Sequence, residues 1–336
     1  MRLQSNQIIT HPPDTQPLLG RMFIDLFAGL GGFRLALESL GARCVYSSEI
    51  NPEVRAVYAN NFGEIPDGDI TRVDAASIPK HDILCAGFPC QPFSISGRRR
   101  GFQDSRGTLF FDIARIIKAK LPPVLFLENV SNLAVHDGGK TIQVIQDTIQ
   151  SLGYSFSYQV INAARHGVPQ QRKRVYMVCF REEAHYISFQ FPQPIPLTRH
   201  VQDILLDDEA LVEHLYRDRE LIFPSKPIND VPSDKPIRCC VVNLGRQGER
   251  IYSTQGTAIT LCSTGGGLFG KTGGYLVNGR PRSLHPRECA RLLGFPDSYR
   301  LDSNPRQAYR QLGNSVAIPV IQRIAEQIGL ALNAAP

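Results

Sequence analysis

One cysteine stands between two prolines in the segment GFPCQPFSISG, directly after the apolar run HDILCAG. The thiol of Cys90 is therefore expected just past the end of a strand, in a loop whose backbone Pro89 and Pro92 restrict. A thiolate is a strong nucleophile, so Cys90 is a candidate for covalent catalysis. A lone loop cysteine is also compatible with a structural role, so its interpretation depends on which other groups lie near it.

Three charged residues could lie near that thiol. Glu128 ends the apolar run VLFLE, and Arg172 and Arg174 stand two residues apart in QQRKRVYMV. A carboxyl at a strand end is either a solvated acid or a general acid whose pKa is raised by enclosure. Residues two apart in a strand share a face, so both guanidiniums are expected to point the same way. The sequence thus predicts that a thiol, an acid and two guanidiniums meet at one edge of a sheet.

The other cysteines show no pattern of metal chemistry. Cys44, Cys85 and Cys179 stand in expected strands and are interpreted as small buried hydrophobes. The remaining four are Cys239, Cys240, Cys262 and Cys289. They lack CxxC or Cys/His spacing, so we predict no metal site. Because we see no secretion signal and no apolar run of about 18 residues, we expect a reducing, cytoplasmic location.

A repeating pattern between residues 21 and 180 predicts the elements that position these groups. Short apolar runs such as RMFIDLF and PVLFLENV alternate with helical stretches such as NPEVRAVYANNFG. This alternation predicts βα units around a parallel sheet. The segments SFSYQVINA and RVYMVCF are expected to be late strands of the same sheet. The first 20 residues are polar and contain prolines, and we expect them to form a loose arm.

The pattern changes after residue 195. Residues 196–305 show little helical periodicity and contain the glycine-rich stretch STGGGLFGKTGG, whereas the last segment regains an apolar helical stripe. We therefore expect an α/β, Rossmann-like domain over residues 1–195, completed by residues 306–336. A smaller domain, made mostly of strands and loops, is expected over residues 196–305.

The segment FIDLFAGLGGFRLA predicts a strand, a glycine-rich turn and a helix, which together present backbone N–H groups to an anion. A dinucleotide fingerprint would require glycine at position 34, where arginine stands, so NAD and FAD are disfavoured. Glu49 ends the next strand and could bind two ribose hydroxyls. Asp69 could accept from an adenine amino group while Ile70 packs on the ring. Jointly these features indicate an adenosine-bearing ligand, although tight packing or solvation explains each of them alone.

Net charge does not decide whether the partner is a nucleic acid. The formal charge is +6 and the isoelectric point is about 8.9. An enzyme without a polyanionic partner can have the same values, so the assignment depends on the motifs.

The order of the motifs is more specific than any single motif. FIDLFAGLGG, GDI, GFPCQPFS, ENV, QQRKRVY, RECARLLGFPDSY and QLGNSVAIPV follow one another over nearly the whole chain. This series resembles that of the DNA (cytosine-5) methyltransferases. The resemblance implies an enzyme that uses S-adenosylmethionine to methylate carbon 5 of a specific cytosine in double-stranded DNA.

The resemblance also implies roles for the candidate residues. Carbon 5 of cytosine is a poor nucleophile because the ring is aromatic, so Cys90 would first attack carbon 6 while protonated Glu128 neutralises N3. Arg174 would lie over the pyrimidine O2, and Arg172 would orient the acid and a substrate phosphate. The cytosine would have to be flipped out of the duplex, which costs roughly a few kcal/mol.

Two sets of binding residues follow from the resemblance. The cofactor is expected to contact Phe27, Ala28, Gly29, Leu30, Gly31, Gly32, Glu49, Ile50, Asp69, Ile70, Pro89, Leu109, Asn314, Ser315 and Val316. DNA is expected to contact Ser94, Ser96, Arg98, Arg99, Arg106, Gln247, Arg250, Thr260 and Gly267. Ser96 would fill the vacated stack, and the arginines of the first loop would lie near phosphates. Ile50 departs from the aromatic residue expected beside the adenine.

Several alternatives stay open. A tRNA cytosine-5 methyltransferase would share the motif series, although the long second domain favours a reader of duplex DNA. A catalytically silent DNA-binding regulator would be expected to lack the thiol or the acid, and both are present. The expected target is the inner cytosine of GCGC in a restriction–modification system, with GCNGC and GGCC as other candidates. We expect a monomer with no membrane partner, and a restriction endonuclease as its genetic rather than physical partner.

Overall fold

The computed structural model describes residues 16–89, 109–225 and 231–334. Contacts divide this part of the chain into two compact units. The first contains residues 16–89, 109–161, 173–192 and 321–334, and the second contains residues 162–172, 193–225 and 231–320. The domains expected from the sequence differ from these units at residues 162–172, 193–195 and 306–320. The division of labour between a catalytic domain and a DNA-reading domain stays a prediction.

The first unit is built on one sheet. Its strands are β1 (Met22–Leu26), β2 (Arg43–Ser48), β3 (Ile83–Gly87), β4 (Val124–Val130), β5 (Ser157–Asn162) and β6 (Lys173–Phe180), in the order β2-β1-β3-β4-β6-β5. β1 pairs in parallel with β2 and β3, and β3 pairs in parallel with β4. These pairings confirm the prediction from the βα pattern for the first four strands.

β6 runs antiparallel to β4, so the sheet is mixed and the expectation of a wholly parallel sheet is wrong at this end. The reason lies in the connection between the late strands. The chain joins β5 to β6 through residues 163–172, whereas a parallel neighbour needs a crossover of a dozen or more residues. The chain therefore turns back, and β6 lies between β4 and β5.

Helices α1 (Gly32–Glu38), α2 (Pro52–Phe62), α3 (Leu109–Lys120), α4 (Lys140–Ser151) and α5 (Glu183–Ser188) complete most of the first unit. α3 buries Phe110, Ile113 and Ile117, which are spaced three and four residues apart on one helix face. β1, β3 and β4 are buried over almost their whole length, as expected for strands covered on both faces. The strand ends are therefore held by a rigid core.

The second unit contains a small sheet and short helices. Its strands are β7 (Arg238–Val241), β8 (Arg250–Ser253), β9 (Gly274–Val277) and β10 (Arg280–Arg282), in the order β10-β9-β8-β7. Its helices are α6 (Glu209–Val212), α7 (Pro286–Leu293) and α8 (Pro305–Asn314).

Helix α7 contains the residues RECARLL of the motif RECARLLGFPDSY, and it begins after the N-cap His285 with proline in its first turn. Glu288 in that first turn accepts from the backbone N–H of His285 at 2.7 Å. The same carboxylate forms a buried, bidentate ion pair with Arg282, with bonds of 2.7 and 2.8 Å. This pair fixes α7 against β10 within the second unit.

Helix α9 (Ile318–Asn333) follows α8 along the chain. Within the described residues, the stretch Pro305–Asn333 contains an 18-residue window that is long and apolar enough to cross a membrane, by length and composition only. However, 72% of that window is buried inside the protein. A core helix passes the same test, so this stretch is weak evidence for a membrane span.

Candidate active site

The glycine-rich turn after β1 has a backbone that few residues can adopt. Phe27, Gly29 and Gly31 have φ angles of 56°, 54° and 71°, and positive φ favours glycine. A Cβ at Gly31 would also overlap the ring of Phe62 and lie 3.1 Å from Tyr58. Glycine at position 31 therefore lets α1 begin directly against the aromatic side chains of α2.

Arg34, which stands where a dinucleotide fingerprint has glycine, packs on the same aromatic rings. Its guanidinium lies 4.6 Å from the ring centroid of Phe62 and 5.6 Å from that of Tyr58. It also pairs with Glu38 at 2.8 Å and with Glu64. Arg34, whose presence disfavours a dinucleotide, thus has a structural role of its own, because its guanidinium joins α1 to the aromatic side chains of α2.

Glu49 is tied to the glycine turn by two backbone hydrogen bonds. One carboxylate oxygen accepts from Gly29 N–H at 3.0 Å, and the other accepts from Asn51 N–H at 2.8 Å. The side chain is half-buried at the end of β2. Each oxygen keeps a second lone pair, so this fixed carboxylate can accept hydrogen bonds from a pair of vicinal hydroxyls.

Asp69 precedes a short helical turn that begins at Ile70. Its carboxylate accepts from Thr71 N–H at 3.0 Å and from Thr71 Oγ at 2.8 Å. These bonds, led by that of the side chain, lower the pKa of Asp69 below its usual range. Ile70 is buried and Ile50 is largely exposed. The site therefore offers an ionised acceptor, and apolar side chains lie on the segments that carry the acids.

The other expected cofactor residues fall in both units. Pro89 is exposed just after β3, and Leu109 begins α3 in the first unit. Asn314 ends α8 in the second unit, followed by buried Ser315 and Val316. Their contacts with the cofactor stay predictions.

Glu128 and Arg174 form an ion pair at the end of the sheet in the first unit. Arg174 Nε lies 3.2 Å from Glu128 Oε1, and the two side chains are only 15% and 10% exposed. The register of the antiparallel strands explains this pairing, because Glu128 is opposite Tyr176 and Val130 is opposite Arg174. The predicted encounter of the acid and this guanidinium is present in the structure.

The segment that leads from β3 to Cys90 begins beside Glu128. Gly87, the last residue of β3, pairs with Glu128 in the sheet. Asn129 donates from its side-chain amide to the carbonyl of Phe88 at 2.9 Å, and both residues are buried. The sequence analysis assigned no role to Asn129. Its role could have been inferred from its position in ENV, because the residue after Glu128 in a strand has its side chain on the opposite face.

Arg172 precedes β6, which begins at Lys173, so the alternation within a strand does not extend to Arg172. Its buried guanidinium donates to the carbonyls of Leu261 at 3.4 Å, Gly313 at 3.1 Å and Ser315. These bonds join distant segments of the second unit. The predicted action of Arg172 on the acid stays a prediction.

Asp25 is a buried acid that the sequence analysis missed. It lies in β1 opposite Ser47 and Cys85, and neither carboxyl oxygen has a hydrogen-bond partner of normal geometry among the described residues. Burial raises the pKa of Asp25 well above its usual value, and Arg34 opposes that shift. The available signal was an acid inside the otherwise apolar run FIDLF.

Two segments of the second unit, residues 243–250 and 263–270, are called the reading loops here, after the DNA-reading role that the sequence analysis expects of them. Gly248 and Gly267 allow the two backbones to touch, since a Cβ at Gly267, where φ is +84°, would lie 3.3 Å from Gly248 Cα. Phe269 N–H donates to the Gly248 carbonyl at 3.0 Å. Glu249 accepts from Arg246 N–H at 2.9 Å, which orders the first loop.

The expected DNA-binding residues of the second unit lie in or near these loops. Gln247 is exposed, and Arg250 is half-buried at the start of β8. Arg250 Nε is buried with no hydrogen-bond partner among the described residues. Thr260 donates from its hydroxyl to the carbonyl of Gln171, so that side chain has a structural partner.

The remaining expected site residues lie outside the described residues. These are Cys90, Ser94, Ser96, Arg98, Arg99 and Arg106. Within the ranges that the structure covers, no group of three or more His, Cys, Asp or Glu side chains could hold a metal ion.

The comparisons with known proteins bear on the whole chain. Residues 21–330 match the family described as C-5 cytosine-specific DNA methylase. The chain belongs to this family. Two similar curated proteins are the type II methyltransferases M.HhaI of Haemophilus parahaemolyticus and M.MspI of a Moraxella species. The first is 58% identical over 95% of this chain and 97% of its own length. The second is 42% identical over 92% of this chain and 71% of its own length.

Solved structures agree on the fold. A Spodoptera frugiperda DNMT2 mutant matches with a TM-score of 0.69 and 18% identity, over 92% of this chain and 99% of that one. A putative DNA modification methyltransferase encoded within an Escherichia coli prophage matches with a TM-score of 0.66 and 18% identity, over 94% of this chain and all of that one. At this identity the likeness shows the fold alone.

This DNA cytosine-5 methyltransferase uses S-adenosylmethionine, and the described residues fit the adenosine part of that molecule. Glu49 presents two fixed carboxylate oxygens, as two ribose hydroxyls require. Asp69 carries an acceptor whose pKa is lowered, as an adenine amino group requires. The expectation of an adenosine-bearing cofactor, rather than NAD or FAD, is therefore confirmed.

Proposed function

We propose that this type II cytosine-5 methyltransferase acts on the inner cytosine of GCGC in duplex DNA, through a covalent bond between Cys90 and carbon 6. The observation that carries the chemical part is the buried Glu128–Arg174 pair, in register with the end of β3 that leads to Cys90. The site sequence follows from the motif resemblance and is supported by 58% identity to a type II enzyme over 95% of the chain.

The chemistry requires that the aromaticity of the cytosine ring first be broken by addition of a nucleophile at carbon 6. The Cys90 thiolate adds to carbon 6, while Glu128 in its protonated form donates to N3 and stabilises the negative charge that the addition would place on the ring. Carbon 5 thereby becomes an enamine nucleophile. Bound S-adenosylmethionine supplies an electrophilic methyl group for it. Loss of the proton on carbon 5 then expels the thiolate and restores the aromatic ring.

Arg174 has two roles in this proposal. Its Nε holds Glu128 at 3.2 Å, which fixes the direction of the carboxyl group that must reach N3. The remaining guanidinium N–H groups can donate to the pyrimidine O2 next to N3. Arg172 donates to three carbonyls of the second unit, and we propose that it helps to orient the acid and a substrate phosphate.

A cytosine inside stacked DNA cannot reach these groups. We propose that the base is flipped into the site, at a cost of roughly a few kcal/mol. Ser96 would occupy the gap in the stack, Ser94 would contact DNA, and Arg98, Arg99 and Arg106 would neutralise phosphates. All five residues belong to the segment that resembles the family's substrate-closing loop.

Sequence reading is assigned to the reading loops. Gln247 is exposed and can contact a base edge or the orphaned guanine, and Arg250 can bond bidentately to O6 and N7 of a guanine. The Nε of Arg250, which is buried and has no hydrogen-bond partner among the described residues, supports this assignment, because a buried donor without a partner is costly. Gly267 brings the backbone close to the groove, and Thr260 contacts the DNA backbone.

We propose that the enzyme acts as a monomer in the cytoplasm, paired genetically with a restriction endonuclease. The cysteines of the described residues are free thiols, which suits a reducing compartment.

Bisulfite sequencing of DNA from a host that expresses this chain tests the proposal. Protection of the inner cytosine at GCGC sites is expected, with no protection in a host expressing the Glu128→Gln variant. Protection at GCNGC or GGCC instead would replace the site and leave the chemistry in place. Protection of tRNA cytosines with unmodified DNA would reject the DNA substrate.

A further inference from the structure

Two adjacent cysteines in β7 lie on the same side of their strand. Successive side chains of a regular strand point to opposite faces, yet the sulfur atoms of Cys239 and Cys240 are 3.9 Å apart. Both side chains belong to one small apolar cluster with Ile251 and Phe269. The arrangement therefore departs from the geometry that a pair of core-filling residues would have in a strand.

The sheet register explains how the two thiols meet. Arg238 pairs with Tyr252 and Cys240 pairs with Ile251, so Cys239 is an additional residue without a partner in β8. Such a bulge bends the strand and re-aims a side chain. The thiol of Cys239 donates to the carbonyl of Ile251 at 3.4 Å. The pair is thus held in place by the same strand that begins with Arg250.

We propose that Cys239 and Cys240 form a redox site at which a hydroperoxide converts the two thiols into an intramolecular disulfide, and that this oxidation weakens DNA sequence reading by the adjacent strand β8. The part concerning DNA rests on the proposed function, because it takes Arg250 as a base reader.

The oxidation balances with the hydroperoxide as the only co-reactant. The Cys240 thiolate attacks the O–O bond, which gives a sulfenic acid and an alcohol, or water when the oxidant is hydrogen peroxide. The Cys239 sulfur then attacks the sulfenic sulfur, its proton joins the departing hydroxide, and one water leaves. Two thiols are oxidised and the peroxide bond is reduced.

The thiol pair is electronically suited to the first step. The contact between the two sulfur atoms lowers the pKa of Cys240 below its usual value and raises the pKa of Cys239. The Cys240 thiolate is the nucleophile, and Cys239 is the resolving thiol beside it.

Closing the ring must move β7. Adjacent Cα atoms are about 3.8 Å apart, whereas disulfides usually join Cα atoms about 4.4–6.8 Å apart. The peptide link keeps this separation short, so the disulfide is strained, the backbone dihedrals at Cys239 and Cys240 must change, and the bond from Cys239 to the Ile251 carbonyl is lost. Val241 pairs with Arg250 in the same ladder, so the displacement reaches the residue assigned to base reading. The strain also makes the bond easy to reduce, which suits a reversible modification.

Trypsin provides a direct readout, because cleavage after Arg238 and Arg246 releases residues 239–246, CCVVNLGR, in which these two are the only cysteines. The full chain, carrying Cys90→Ala so that the catalytic thiol cannot react, is treated with hydrogen peroxide and then with an alkylating agent. The expected peptide is unalkylated and two hydrogens lighter than the dithiol form, and dithiothreitol restores double alkylation. Double alkylation after peroxide, or a sulfinic acid instead, overturns the proposal.

The same protein is then tested for binding to a GCGC duplex and to a scrambled duplex. Oxidation is expected to reduce the preference for GCGC about tenfold or more, reversibly with dithiothreitol. Peroxide should have no such effect on the added Cys239→Ala or Cys240→Ala variants, whereas a matched Cys262→Ala variant should keep the full response. An unchanged preference in the disulfide form overturns the link to reading. If the reduced protein shows no preference for GCGC, the proposed function fails instead, and the peptide result still stands.

Discussion

The Glu128 site and the reading loops hold their functional groups in opposite ways. Glu128 and Arg174 are fixed by the register of two strands in a buried sheet. The reading loops are held by backbone contacts between glycines, at Gly248 and Gly267. The first arrangement fixes two particular side chains through the strands that carry them. The second fixes a backbone shape, so under the proposed function an exchange of its side chains should alter which bases are read while the chemistry remains the same.

The largest expected effect separates the two regions most sharply. Glu128→Gln keeps the size of the side chain but removes the acidic proton, so kcat should fall about 10²–10⁴-fold, the usual contribution of a general acid. The preference for GCGC over a scrambled duplex should stay unchanged. Single-turnover methylation and duplex binding measure the two quantities. Glu53→Gln, in the exposed first turn of α2, is the matched control. A loss of sequence preference in Glu128→Gln would show that the regions are not separable.

Substitution of Glu49, the acid expected to bind the cofactor, should have a smaller effect. That effect should be confined to the first unit, which contains the Glu128 site. Glu49→Ala removes a carboxylate held by Gly29 and Asn51, and affinity for S-adenosylmethionine should weaken by about 1–3 kcal/mol, the scale of a hydrogen bond to a charged group. Isothermal titration calorimetry measures this, with Glu53→Ala as the control. Unchanged affinity would remove Glu49 from the cofactor site.

Arg250→Ala, in the reading loops, should have an effect of similar size on DNA binding. Binding to the GCGC duplex should weaken by about 1–3 kcal/mol, and discrimination should relax at one base pair. Arg99→Ala provides the contrast, because a phosphate contact should weaken binding to all sequences alike. Competition binding with single-substitution duplexes distinguishes the two patterns. A uniform loss for Arg250→Ala would make it a backbone contact.

The smallest expected effect tests whether backbone shape matters in the reading loops. Gly267→Ala places a Cβ at a φ of +84° and 3.3 Å from Gly248 Cα, which costs about 1–2 kcal/mol. The preference for GCGC should fall with little change in kcat at saturating DNA. Gly266→Ala is the matched control, since a Cβ there meets nothing within 4 Å. If the two variants had the same preference for GCGC, the loop would tolerate the added Cβ, and its backbone shape would not determine which bases are read.

The same comparison explains how much could be predicted from the sequence. Parallel strands of a doubly covered sheet have a strong apolar signal, so β1 to β4, the glycine turn and the acids at the strand ends were all predictable. The meeting of Glu128 and Arg174 at one sheet edge was anticipated as well, although Arg172 rather than Arg174 was expected to orient the acid. The direction of β6 was not, because strand direction depends on connection length and pairing rather than on local pattern.

Other features depend on contacts that no local pattern encodes. Arg34 appears in the sequence as a missing glycine, and its packing on Phe62 requires knowledge of α2. Arg172 stands near Arg174 in sequence, but its guanidinium is held by carbonyls at positions 261, 313 and 315. Cys239 and Cys240 meet only because a bulge adds one residue to β7. In each case the outcome depends on pairing between segments far apart in the chain.

Covalent trapping tests the central claim most directly. A GCGC duplex with 5-fluorocytosine at the inner position is incubated with the enzyme and S-adenosylmethionine, then analysed on a denaturing gel. Fluorine on carbon 5 cannot leave as a proton does, so the elimination step is blocked and the wild-type enzyme should remain attached to the duplex. Cys90→Ala should give no adduct, and Glu128→Gln should form it far more slowly. An adduct formed by Cys90→Ala, or none formed by the active wild-type enzyme, would contradict attack by Cys90 on carbon 6.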